Sequence, residues 1–257
     1  MTLNEENYYQ ETEHMSASQF KNFMKCEAAA LAEIEGEFVR EPSRALIQGQ
    51  YVDAYFTGDL QQFHTEHPEL FKKDGALRQT YSVCEDAIAR IKREPVAMEY
   101  LEGAKQLIVT GEIEGVECKG KLDVLGNGRI VDLKCMRDFE PVYRNGEKLD
   151  FIRAWGYDIQ AYFYTELIRK YTKNNERWPF YILAVTKEVD PDLLLVELPD
   201  WLIESAGEVV RHYIRRFDAI KKHEIEPRRC GKCAYCKQTK RLNGPIKYEK
   251  YLEEVML

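Results

Sequence analysis

Between Gly120 and Lys134 the chain reads Gly-Lys-Leu-Asp-Val-Leu-Gly-Asn-Gly-Arg-Ile-Val-Asp-Leu-Lys, with apolar residues on both sides of Gly126-Asn127-Gly128. Asn-Gly between two such runs is the strongest short-range hairpin signal, so two short strands joined by a tight turn are expected. The pleat then decides which side chains meet. Asp132 and Lys134 are two residues apart and leave the same face of a strand, and the turn folds Asp123 back towards them. Carboxylate oxygens suit a hard cation such as Mg²⁺, whose usual shell is one or two carboxylates, waters and substrate phosphate, so a phosphodiester is the implied substrate. A lysine at this spacing can orient or deprotonate the attacking water, or offset the charge that builds on the phosphate.

The rest of the chain reads as helices and strands that would surround this hairpin. Residues 1–14 hold four glutamates and no apolar period, which predicts a flexible acidic tail. Ser16 and Gln19 form a capping box that opens a helix with Phe20, Phe23, Met24, Leu31 and Ile34 at helical spacing and Cys26 on it. Pro42-Ser43 opens a second helix, which carries Gly49 and Asp53 and stops at Gly58. Further helices, broken at Pro68, Asp74-Gly75 and Pro95, precede strands at 106–113, 116–125 and 129–136. Residues 137–150, with Pro141 and Asn145-Gly146, read as a loop overhanging the strand ends. A helix carrying Trp155, Gln160 and Tyr164 runs to about Tyr171, with Trp155 read as packing. Strands at 180–186 and 193–198 and a long helix from Asp200 to about Lys222 complete an α/β fold, a central mixed β-sheet flanked by helices. One domain is expected over 15–241, followed by a C-terminal helix or tail over 242–257.

Gln160 and Tyr164 are four apart and share a helix face, and Asp53 stands four residues after Gly49. Together with Asp123, Asp132 and Lys134, these residues resemble the PD-(D/E)xK nuclease superfamily, in particular its RecB-like and RecE-like phage exonuclease branch. The resemblance implies an α-β-β-β-α-β core and a metal-dependent DNA exonuclease. It also implies that Asp123, Asp132 and the Leu133 carbonyl hold Mg²⁺ or Mn²⁺, as two ions, with Lys134, Gln160 and Tyr164 completing the catalytic set. The family's upstream histidine ligand is replaced here by Asp53, a hard carboxylate ligand that still suits Mg²⁺ or Mn²⁺. The family proline is replaced by Leu122. By the same likeness, the enzyme would resect one strand of linear double-stranded DNA in the 5′→3′ direction without ATP, for a RecT-type single-strand annealing partner. The alternatives are a nuclease of the CRISPR-adaptation type and a non-catalytic DNA-binding zinc module.

Cys230, Cys233 and Cys236 sit at two-residue spacings that can point three thiols at one ion or cluster. In the resembling nucleases a fourth cysteine ahead of the core completes a [4Fe–4S] cluster, a place that Cys26 fills here. Zn²⁺ is the alternative occupant. Cys84, Cys118 and Cys135 read as ordinary thiols. The net charge of −7 argues against a generic nucleic-acid binder, yet residues 211–241 carry eleven Lys/Arg against three acids and could follow phosphates. Arg137, Arg153, Arg215 and Arg216 are candidate DNA contacts. The polar start matches neither a signal nor a transit peptide, and no long apolar run is present, so a cytoplasmic protein without a membrane partner is expected.

Overall fold

Along the strand Phe180–Thr186 the side chains alternate between two apolar layers, and this alternation organises the molecule. Phe180, Ile182 and Ala184 face one core, while Leu183 and Val185 face a second on the other side of the sheet. In the computed structural model, residues 3–144, 146–173, 176–242, 244–249 and 251–252 are described. The strands are β1 (Met15–Ser16), β2 (Ala104–Ile113), β3 (Val116–Gly126), β4 (Arg129–Met136), β5 (Val142–Arg144), β6 (Glu147–Leu149), β7 (Phe180–Thr186) and β8 (Leu193–Leu198). The main sheet has the order β1-β3-β4-β7-β8, with β2 paired to β3, and it is mixed because β1/β3 and β4/β7 run parallel.

Three helices cover the first face: α1 (Ala17–Lys25), the helix Tyr157–Thr172 (α8) and the helix Asp200–Lys221 (α9). They meet through an aromatic cluster in which the Phe20 ring lies 5.6 Å from Phe163 and 5.1 Å from Phe217. The second face is covered by α3 (Arg44–Thr57) and α5 (Gln79–Lys92), which bury Tyr51, Val52, Ile88 and Ile91 against Val131 and Leu133. Among the shorter helices, α2 (Glu27–Ile34) follows α1, α4 (Leu60–Glu66) and α6 (Pro95–Tyr100) flank α5, α7 (Phe151–Trp155) precedes α8, and α10 (Ala234–Gln238) lies near the C-terminus. No helix among the described residues is long and apolar enough to cross a membrane.

The structure departs from the sequence expectations in four places. The first helix is two: Cys26 is extended, with φ −167° and ψ 110°, and divides α1 from α2. Residues 3–14 are docked, not a loose tail, because the buried Lys119 ammonium takes the carbonyls of Tyr8 and Glu11 and the Glu11 carboxylate as acceptors. An interior lysine needs such partners, and Tyr8 is buried in supplying one. Within 137–150 the chain forms the β5/β6 hairpin, whose turn residue Asn145 lies outside the described residues. Finally, the helix expected through Trp155 breaks at Gly156, which adopts φ +64° between α7 and α8. Of the expected C-terminal helix or tail, residues 253–257 lie outside the described residues.

Candidate active site

β3 and β4 pair through Gly126↔Arg129, Leu125↔Ile130 and Val124↔Val131, and there the ladder ends. The next facing residues are Asp123 and Asp132, so the two acids stand where the strands part. Two things hold the strands open. The free edge of β3 is taken up further along by β1, which pairs Met15 with Cys118 and Ser16 with Lys119. On its other edge β4 pairs with β7 from Ile130↔Phe180 to Met136↔Thr186, which fixes the stretch bearing Asp132 and Lys134. The main-chain donor left by the parting is satisfied by a side chain: Leu133 N–H donates to Asp123 Oδ2 at 2.9 Å.

Residues from α8 occupy the opening. Gln160 Nε2 donates to Asp132 Oδ1 at 2.8 Å, and Tyr164 OH donates to the Lys121 carbonyl of β3 at 2.9 Å. Gly120 makes room for that ring, since a Cβ there would stand 3.0 Å from Tyr164 Cε1. Lys134 Nζ lies 2.6 Å from Asp132 Oδ2, an ion pair without hydrogen-bond geometry, so this buried oxygen has no hydrogen-bond partner. Its ammonium also sits 5.2 Å from the centre of the Tyr157 ring. Asp53, on α3, lines one small space with Asp123 and Leu133.

The electrostatics follow from crowding in a dry place. Burial, and then the charge of Asp132, push the Asp123 carboxyl up to about 7, and burial with Asp123 raises Asp53 well above the usual range. At Lys134 burial works against the charged form, but Asp132 and Asp123 outweigh it and hold the ammonium above its ordinary value. Lys21 of α1, which the sequence reading did not single out, is pushed down to about 8 by burial and by the charge of Lys134. Three acids against one inward lysine, with one acid oxygen unbonded, form a donor set that fits a hard divalent cation.

Residues 16–239 match the family described as a PDDEXK-like domain of unknown function (DUF3799). The chain belongs to this PDDEXK-like family. It is also 36% identical to a protein from Eubacterium rectale that carries the provisional name exonuclease, whose crystal structure superposes with a TM-score of 0.91 over 98% of each chain. No curated protein matches. The mixed sheet between helical layers is the PDDEXK nuclease fold.

Outside the acids, this PDDEXK-like chain opens a cleft of about 800 Å³ lined by Gly49, Asp53, Lys134, Tyr143, Trp155 and Tyr157. Trp155 is 49% exposed there, so its ring is a wall of the cleft rather than packing. None of the four arginines expected to touch DNA is left unpaired. Arg137 binds Asp138 at 2.5 Å, Arg153 binds Asp150 at 2.6 Å, Arg215 binds Glu114 at 3.4 Å, and Arg216 binds Glu27 at 2.8 Å. Glu114 lies at the far end of the β2/β3 hairpin, more than ~20 Å along the strand from Asp123 at 3.3 Å per residue, which places Arg215 far from the acids.

The sulfurs of Cys26, Cys230, Cys233 and Cys236 lie within 4.8 Å of one another, the only such gathering of three or more potential metal ligands among the described residues. The aspartates are spread more widely. Cys26 sits 3.6 Å and Cys230 3.9 Å from the Cys236 sulfur. Burial opposes ionisation of Cys230, but the amides of Lys232 and Cys233, 3.4 and 3.3 Å from its sulfur, draw the thiol down to about 6.

Proposed function

We propose that the protein is a metal-dependent DNA exonuclease that resects linear duplex in the 5′→3′ direction without ATP and leaves a single strand for an annealing partner of the RecT type. One observation carries the reading: Asp123 and Asp132 face each other where β3 and β4 part, with Lys134 and Gln160 each on Asp132. Asp53, Asp123, Asp132 and the Leu133 carbonyl would hold Mg²⁺ or Mn²⁺, which supplies Lewis-acid polarisation of the phosphodiester and a more acidic attacking water. Gln160 fixes the rotation of the Asp132 carboxylate through Oδ1 and leaves Oδ2 facing the site. The Lys134 ammonium stands beside that oxygen, placed to orient water and to offset charge on the phosphate. Tyr164 holds β3 at the width the site requires through the Lys121 carbonyl.

Purified protein with Mg²⁺, Mn²⁺ or EDTA should digest linear but not circular duplex, need a divalent ion, and release label from 5′ ends before 3′ ends. Digestion of closed circles, or none with any metal, overturns the reading, and 3′-first release reverses the polarity.

For the four thiols the sulfur separations favour a single ion over a four-iron cube. A Zn–S bond of about 2.3 Å gives a tetrahedron with edges of about 3.8 Å, and the two separations above fall on either side of that value. Elemental analysis should find about one zinc and a colourless protein, whereas about four irons and a brown solution would restore the cluster.

A further inference from the structure

We infer that Lys21, Lys25, Arg144 and Trp155 form a binding track for an unpaired DNA strand, leading outward from the cleft along α1. The inference rests on the nuclease reading for its substrate, and its test is a binding measurement that does not depend on cleavage.

The starting point is which cations are left over. The four arginines that the sequence suggested are tied to carboxylates, whereas no carboxylate lies within ion-pair distance of Lys21, Lys25 or Arg144 among the described residues. These three nevertheless crowd one another: Lys134 and Lys25 act on Lys21, partly offset by Asp132 and Asp158, and Arg40 and Arg144 act on Lys25, partly offset by Glu33. Arg40 is set aside because it binds Glu33 at 2.6 Å. A row of like charges only partly offset by nearby acids is unfavourable in the free protein and becomes favourable when a polyanion fills it. Lys21 and Lys25 are one turn apart on one face of α1, about 6 Å along the axis, a separation comparable with that of adjacent phosphates on a strand.

The row is built into the fold. The stem of Lys21 lies across Gly156, where a Cβ would come within 2.9 Å of Lys21 Cδ, so the glycine between α7 and α8 leaves space for the lysine. Its ammonium ends 5.6 Å from the centre of the Tyr157 ring, over which Lys134 also sits. At the outer end the Arg144 guanidinium lies 4.7 Å from the Trp155 ring, and Tyr143, 71% exposed, lines the same cleft. Cations following a backbone beside exposed aromatic rings are the mark of single-strand binding, since a base can lie on a ring only after leaving its partner.

The test uses Asp132→Asn protein, with fluorescein-labelled dT15 and a blunt 20-base-pair duplex as probes and anisotropy as the readout. Trp155→Ala should weaken dT15 binding roughly five- to hundredfold, the range that stacking of one base provides. Lys25→Met and Arg144→Met should each lower the salt slope for dT15 by about 0.7, while Arg153→Met and Arg215→Met leave it unchanged. Lys21→Met should weaken dT15 binding while raising the melting temperature, because it removes a buried like charge beside Lys134. In a Trp178→Phe/Trp201→Phe background, dT15 should saturably quench the remaining Trp155. Unchanged dT15 affinity in the track variants, an equal loss on duplex and single strand, or no quenching of Trp155 would overturn the proposal. Absence of nuclease activity in the parent chain would remove the nuclease reading and leave these binding results to stand or fall separately.

Discussion

Glu27→Ala should be among the costliest single changes outside the catalytic residues. The carboxylate is 8% exposed and accepts three hydrogen bonds: from Arg216 Nε and Nη2, both at 2.8 Å, and from the Arg228 amide at 2.7 Å. Ala28 N–H returns a bond to the Arg228 carbonyl at 3.1 Å, so the start of α2, the C-terminal part of α9 and the approach to the cysteine knuckle are held at one point. Removing one partner of a buried ion pair costs about 3–5 kcal/mol. The Arg216 side chain is 24% exposed and regains water, which places the loss near the lower end, about 3 kcal/mol. For a chain of this size that corresponds to a fall in Tm of roughly 6–12 °C.

The pH dependence has a definite sign. Burial disfavours the Glu27 carboxylate, but Arg216 and the Arg228 amide more than compensate and hold its acid below the ordinary 4.5. A depressed acid stabilises fully above the unfolded value and loses its effect as pH falls through the folded one. The gap between wild type and Glu27→Ala should therefore stay constant above pH 4.5 and narrow below it. Urea unfolding across this range, followed by circular dichroism, measures the gap. The double variant Glu27→Leu/Arg216→Met should recover most of the loss, since an apolar pair leaves no charge unpartnered. A Tm fall under about 2 °C, or a double variant as unstable as the single one, would refute this account of the junction.

Asp132→Asn should abolish cleavage while retaining the fold, since Gln160 can still meet one side-chain oxygen; residual turnover near that of wild type would remove Asp132 from the chemistry. Asp53→His should keep appreciable activity with a shift towards Mn²⁺, while Asp53→Ala should lose roughly a hundredfold or more; equal rates in a metal titration would take Asp53 out of the ligand set. Gly207→Ala gains about 1 kcal/mol of helix propensity, but its Cβ would stand 2.7 Å from Cδ2 of the buried Tyr162 ring. Overpacking of about 1–3 kcal/mol should win, and a stabilised variant in urea would contradict it. Lys119→Met removes the donor that binds the Tyr8 and Glu11 carbonyls, so limited proteolysis should cut ahead of Met15 faster; unchanged protection would show that the segment is held by other contacts.

The sheet was legible because its signals are local. Asn127-Gly128 sets the β3/β4 turn, and alternation sets the strands to within two residues of those observed. The convergence of Asp123, Asp132 and Lys134 was also readable, since the pleat and the turn fix which strand side chains share a face, whereas the place of Gln160 beside them was implied only by the family resemblance. What could not be read were relations between distant segments. Lys119 sits in a strand like any other polar residue, and nothing local says that it will be buried and draw residues 3–14 onto the sheet. A helical pattern runs through Cys26 without a breaker, and the kink there accompanies its meeting with Cys236. The basic residues near the C-terminus suggested DNA contact by number, but Arg215 and Arg216 found carboxylates, while Lys21 and Lys25 on an ordinary-looking amphipathic helix did not.

The pairing of Cys26 with Cys236 spans 210 residues, and Phe20 and Phe23 of the same early helix pack on Phe217. On the ribosome, which adds about 5–20 residues each second, α1 therefore waits roughly 10–40 s for the segment that completes its surroundings. During that interval its phenylalanines and a free thiol are exposed to whatever is nearby, so this is a chain whose first helix is made early and finished last. Interrupting synthesis before Cys236 should yield a product held by chaperones, and a slow final step in refolding should respond to the metal supplied rather than to the length of the β-sheet already formed.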